Sequence, residues 1–205
     1  MLRGQPAERR SITKEVLMRK AVHSVGAFIL VILALFGLSK AQLVILSMTI
    51  LYLASEYLRL SGRSLPFFSW LTRLASSEYE QRGVVMAPIW FALGVLSTIT
   101  LFPFKYALIG VLTLSIGDPI ASLVGLSVEN RHPYPFNESK SIEGTLAGLL
   151  VAVLACAFFA DSITSIIGCT TGMIMEASPI PINDNLTIPI VSSLASYAFC
   201  ILLGS

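Results

Sequence analysis

Apolar residues gather into seven long runs along the chain, at about 21–38, 41–57, 83–101, 105–124, 143–160, 162–175 and 187–204. A helix needs about 20 mainly apolar residues to cross a bilayer, with 17 the usual minimum, so several runs are tight and the sixth is short. The pattern predicts an all-α integral membrane protein, a bundle of about seven transmembrane helices. Only a short link, Gly37 to Gln42, joins the first two runs, which are therefore expected to form an antiparallel hairpin. Pro103 separates the third run from the fourth. The stretch 58–82 is mixed, with Arg59 and Arg63 ahead of Phe67, Phe68 and Trp70. Aromatics concentrate at membrane interfaces, so a helix lying in the interface is expected there. Residues 1–20 are polar and basic, with Ser11 and Thr13 placed to start a helix ahead of Glu15. The chain thus divides into a basic N-terminal segment, 1–20, and one polytopic membrane domain, 21–205.

Composition sharpens this picture. Of 205 residues 55% are hydrophobic and 13% charged, where soluble domains carry about 25% charged residues. Cys156, Cys169 and Cys200 lie in apolar runs at no metal-ligand spacing, so they read as small buried or lipid-facing residues with no disulfide framework. No cleavable signal peptide is evident. With the N-terminus in the cytoplasm, the cytoplasmic pieces hold twelve of the fourteen Lys and Arg, and only Lys40 and Lys105 fall outside. That is the asymmetry of the positive-inside rule. The same orientation puts the unusual polar clusters on one side, facing the cytoplasm. The expected location is a membrane that the chain crosses several times, the cell membrane if the source is prokaryotic, and no nucleic-acid partner is expected.

Three clusters carry the candidate chemistry. Asp118 lies between Gly117 and Pro119 in apolar sequence. A charge near the bilayer centre costs about 2.5–3.5 kcal/mol on insertion scales, so it is normally paired, solvated or working. Asp118 could ligate Mg²⁺, which in nucleotide sites takes one or two carboxylates plus phosphate oxygens. It could also cap a helix that starts at Pro119. The surrounding pattern favours the first. Lys140, Ser141, Glu143, Gly144 and Thr145 open the fifth run. Ser139 or Ser141 could cap that helix, its amides and Lys140 would attract phosphate, and Glu143 would either complement the helix dipole or position metal or water. Gly117, Gly125 and Gly144 would let backbone N–H groups approach an anion closely, with Ser122 alongside. Arg19, Lys20 and His23 share adjacent helical faces; on physics alone they read as basic flank and core histidine. Glu176, Asn183, Asp184 and Asn185 sit in a proline-rich link that is either a metal or sugar site or a solvated turn. Glu56 could pair with Arg59 or reach the site. No P-loop pattern is present.

Taken together, Glu15-x-x-x-Arg19-Lys20-x-x-His23-x-x-Gly26, Gly117-Asp118-x-x-Ala121-Ser122-x-x-Gly125, Lys140-Ser141-x-Glu143-Gly144-Thr145-x-Ala147-Gly148 and Asp184-Asn185-Leu186-Thr187-Ile188-Pro189 resemble the CTP-dependent lipid-alcohol kinases. This group contains the dolichol, phytol and yeast-type diacylglycerol kinases, and the resemblance covers about 12–204. It implies transfer of the γ-phosphoryl of CTP, with Mg²⁺, to a membrane-embedded long-chain alcohol. It also implies functional roles for Arg19, Lys20, Asp118, Gly125, Lys140 and Glu143, which reverses the bland reading of Arg19 and Lys20. Phosphoryl transfer needs mostly positioning and charge neutralisation, which fits these residue types. Asp118, Glu143 and His23 are the candidate bases, in that order. The loop Arg131-His132-Pro133-Tyr134-Pro135 departs from the glycine and basic run that family members often show. Two alternatives stand beside the kinase: a CTP-dependent cytidylyltransferase making a CDP-lipid, and a small membrane transporter whose broken helices carry buried carboxylates.

Overall fold

The computed structural model describes residues 14–63 and 65–203. The basic residues up to Arg10, the expected caps Ser11 and Thr13, and the side chain of Glu15 lie outside the described residues. The first apolar run forms α1 (Lys14–Val25) and α2 (Phe28–Phe36), which meet at Gly26. A Cβ on Gly26 would fall 2.2 Å from the ring of Phe91, so only glycine lets that ring reach the junction. The second run forms α3 (Leu38–Leu60), the third α5 (Ala87–Leu101). Between them α4 (Pro66–Ala75) is a short helix. It exposes Phe67 and Trp70 and buries Ser69 and Thr72.

That inward polar face has a purpose. Glu56 is fully buried and accepts from Arg59 Nε at 2.9 Å and NH2 at 2.8 Å, from Thr72 Oγ1 at 3.2 Å and from the Val85 amide at 3.0 Å. The buried charge is thus paired and fully bonded, as it must be to persist, and it ties α3, α4 and the approach to α5 together. Glu56 pairs with Arg59 and takes no part in the polar site described below.

The fourth run forms α6 (Phe104–Leu112), a π-helical turn (Thr113–Gly117) and α7 (Asp118–Ser127). Pro119 has no N–H to return to the preceding turn. The ladder widens there, and the Asp118 amide donates to the Thr113 carbonyl five residues back. The helix therefore continues through Asp118, and the expected capping role for its side chain is not what is found. A two-stranded hairpin follows, β1 (Pro133–Tyr134) and β2 (Asn137–Ser141), then α8 (Ile142–Ala157), α9 (Ser162–Ala177) and α10 (Asp184–Leu203).

Among the described residues, four stretches are long and apolar enough to cross a membrane: Val16–Phe36, Leu38–Leu60, Phe104–Ser127 and Asp184–Leu202. The helices α5 and α8 are apolar but shorter. Of these, Phe104–Ser127 is the most enclosed, with Ile109, Val111 and Leu114 fully buried. Leu146, Leu150 and Leu154 form an exposed apolar stripe on α8. An exposed face of that kind belongs against lipid or another apolar partner rather than water.

Small residues set the helix spacing. A Cβ on Gly148 would lie 2.6 Å from the Gly117 carbonyl oxygen, and one on Gly144 would lie 2.4 Å from that of Ala121. Helices α7 and α8 therefore cross backbone to backbone, as small residues allow in membranes. Gly117 and Gly144 serve this crossing; the phosphate-approach role expected for them is not where they sit.

Candidate functional site

The site is built from segments far apart in sequence. On α1, Lys20 and His23 are three residues apart and share a face. Lys20 Nζ donates to both oxygens of Asp118, at 2.8 and 2.7 Å, across 98 residues of chain. His23 Nδ1 lies 3.6 Å from Asp118 Oδ2. All three side chains are buried, yet His23 Nδ1 has no hydrogen-bond partner. Its ring packs on Phe91, with centroids 5.1 Å apart.

A second cluster comes from the hairpin and the two last helices. Lys140, on β2, binds the buried carboxylate of Glu176 and reaches Asp184 Oδ2 at 3.4 Å. Burial works against the Lys140 charge, but the carboxylates of Glu176, Asp118 and Asp184 hold its ammonium above the ordinary lysine range. Ser141 caps α8, its Oγ accepting from the Gly144 amide at 3.2 Å. Asn185 donates to the Ala87 carbonyl at 3.2 Å, which fixes the start of α10 against α5.

Both clusters line one polar cavity of about 950 Å³. Ligand pockets commonly span about 300–1,000 Å³, so this one has room for a nucleotide-sized molecule. Of the fourteen residues expected from sequence, eleven line it: Arg19, Lys20 and His23; Asp118, Ser122 and Gly125; Lys140, Ser141 and Thr145; Asp184 and Asn185. Thr145 Oγ1 and Glu176 Oε2 are buried there without a hydrogen-bond partner. Buried polar groups are normally satisfied, so these two atoms beside the cavity point to a polar ligand or water.

Three expected residues do not line it. Gly117 and Gly144 are in the helix crossing. Glu143, expected as a catalytic and metal residue, accepts from the His132 amide at 3.0 Å with each oxygen and from the His132 ring. It closes the loop ahead of the hairpin and does not join Asp118. Glu80 and Glu138 line the cavity without having been anticipated; Glu80 lies 4.0 Å from Arg19 NH1. Neither carries a local sequence signal, since each is an ordinary polar residue in a short turn or strand until the fold brings it to the cavity rim.

The charge balance is informative. Arg19, Lys20, Arg131 and Lys140 face Glu80, Asp118, Glu138, Glu176 and Asp184, so carboxylates outnumber the fixed cations. The Asp118–Glu143 pair expected to share a metal is not brought together. Asp118 is engaged by an ammonium on both oxygens, Glu143 points elsewhere, and among the described residues no group of three or more His, Cys, Asp or Glu is arranged to hold a metal. No family model, curated protein or solved structure matches this chain.

Proposed function

We propose that this chain is a CTP-dependent lipid-alcohol kinase, a phosphotransferase acting on a long-chain alcohol held in a membrane. The observation that carries this reading is the convergence of Lys20, His23, Asp118 and Lys140 on one polar cavity at an end of the apolar bundle. Lys105 and Asp161 pair at 2.6 Å at the other end of the Phe104–Ser127 stretch. At 1.5 Å per residue, thirteen residues separate Lys105 from Asp118 by about 20 Å. We read the bundle as about seven crossings with a cytoplasmic N-terminus, and the cavity as opening to the cytoplasm, where a nucleotide is available.

In this reading Lys20 and Lys140 hold the phosphates, and Arg19 and Arg131 extend the basic wall. Asp118 orients Lys20 and His23. A Mg²⁺ ion enters with the triphosphate as part of the substrate and neutralises its charge. The acceptor hydroxyl oxygen bonds to the γ-phosphorus as the bond from that phosphorus to the β–γ bridging oxygen breaks. The bond's electrons leave on CDP, and the hydroxyl proton passes to the ring nitrogen of His23 that does not face Asp118. His23 takes this place because both Asp118 oxygens are occupied and Glu143 lies outside the cavity. Such a reaction is mostly positioning and electrostatics.

The test is direct. Purified protein in lipid is incubated with labelled CTP, Mg²⁺ and phytol, geranylgeraniol, dolichol or diacylglycerol. CDP and a lipid monophosphate are expected, and Lys140→Ala should abolish them. Release of pyrophosphate with a CDP-lipid would replace the kinase by a cytidylyltransferase, and no turnover with any acceptor would leave the transporter reading.

A further inference from the structure

A second cavity of about 410 Å³ lies beside the first, lined by α1, α2, α3, α4 and α5. Its walls are apolar, with Ile29, Ile45, Leu71, Phe91 and Val95 among them. Arg19, His23 and Ala87 line both cavities. The two therefore meet at these residues, with His23 Nδ1 turned toward Asp118 Oδ2, 3.6 Å away. An apolar channel that ends on an imidazole and an arginine fits an apolar molecule with one polar end.

We propose that this cavity binds the acceptor by its chain, and that it admits one chain, not two. This rests on the phosphoryl-transfer reading above and narrows its substrate to single-chain alcohols. A methylene fills about the volume of a water molecule, about 30 Å³, so the cavity holds roughly a dozen carbons of one chain. Any longer tail leaves between the helices into lipid. The hydroxyl arrives at the His23 imidazole, where the two cavities meet. The polar cavity presents the phosphates from the other side of the same imidazole. Two acyl chains beside an ester-bearing glycerol would require polar atoms among Ile29, Ile45 and Val95, while the wall hydroxyls of Thr49, Tyr52 and Ser76 are already given to the Ile45, Val85 and Thr72 carbonyls.

The experiment uses the full chain in lipid nanodiscs with a C16 primary alcohol carrying a diazirine near its tail. Photolabelling is expected on the facing walls of α3 and α5, saturable by excess unlabelled single-chain alcohol and not by diacylglycerol. Ala92→Phe on α5 and Ala75→Phe on α4 fill the cavity from two sides. Both should cut saturable labelling at least tenfold and raise the KM for the alcohol while leaving the KM for CTP unchanged. Labelling that is unsaturable, or confined to outward helix faces, overturns the proposal even if transfer occurs. Equal turnover of diacylglycerol overturns the single-chain limit. Saturable labelling without any transfer upholds the cavity and instead removes the kinase reading.

Discussion

The Lys20–Asp118 pair can be tested apart from any activity. Its side chains are 10% and 3% exposed, so each charge depends on the other. Removing one partner of a buried pair costs about 3–5 kcal/mol, because the survivor stays buried without compensation. Here the cost falls near the lower limit, about 3 kcal/mol. His23 stands 3.6 Å from Asp118, and Lys20 borders a polar cavity that offers solvent. Asp118→Asn and Lys20→Met should each lose that amount. The double variant leaves no lone charge and should lose no more than either single, a coupling of about 3 kcal/mol. Unfolding would be followed by circular dichroism in mixed micelles as the fraction of denaturing detergent rises. All three variants should also lose phosphoryl transfer. If the two single costs add to within about 0.5 kcal/mol, as for independent sites, the pair is not a coupled element and its role in orienting α1 on α7 is wrong.

Three further outcomes follow from local geometry. Glu143→Gln should weaken the loop contact to His132 and disturb Lys140 downstream, raising the KM for nucleotide several-fold with kcat unchanged; a thousandfold fall in kcat would give Glu143 a chemical role after all. Asp161 is held below the ordinary aspartate range by the Lys105 ammonium and by the hydroxyl and amide of Thr164. A depressed carboxyl stabilises the fold above its unfolded pKa, about 3.9, and loses that effect as pH falls through its lower folded value. The stability difference between wild type and Asp161→Asn should thus be constant from pH 8 to 5 and shrink only in stronger acid; a difference that vanishes by pH 6 would refute the pairing. Gly148→Val should cost about 1–3 kcal/mol by overpacking against Gly117, whereas Gly83→Ala, with nothing within 4 Å, should be silent; equal unfolding midpoints would refute the close crossing.

The helices were legible because hydrophobic length is a strong signal, and every apolar run holds a helix or a pair of helices. The breaks within them were less legible. Nothing in the first run marks Gly26 as a junction until Phe91, 65 residues later, presses against it. Pro119 signals a disturbance, but a missing N–H can end a helix or widen it into a π turn, and packing decides which. The basic and acidic positions of the cavity were legible as misfits in apolar sequence. Their partners were not: Lys20 finds Asp118, and Lys140 finds Glu176, through folding alone. Glycines misled for a related reason. The absence of a side chain suits an anion or a neighbouring helix equally, and Gly144 and Gly148 meet a helix. Glu143 misled because its partner, His132, lies eleven residues earlier across a hairpin that hydrophobic periodicity does not describe.

The polar cavity is not a ready anion trap, and that has a consequence for how a nucleotide enters it. Lys20 and Lys140 are each held by carboxylates before any ligand arrives. A triphosphate must compete with Asp118 for one and with Glu176 and Asp184 for the other, inside walls where carboxylates outnumber lysines and arginines. Bringing it in bare would place like charges close together where water screens them poorly, a costly arrangement. A divalent cation on the phosphates removes that cost without needing a protein-held metal site. Nucleotide binding should therefore require the cation even in the absence of an acceptor and of chemistry. Equilibrium binding of labelled CTP with Mg²⁺, and again with chelator, measures this. Affinity at least tenfold weaker with chelator is expected; equal affinity would mean that the lysines release their carboxylates freely and that the charge balance of the cavity does not govern entry.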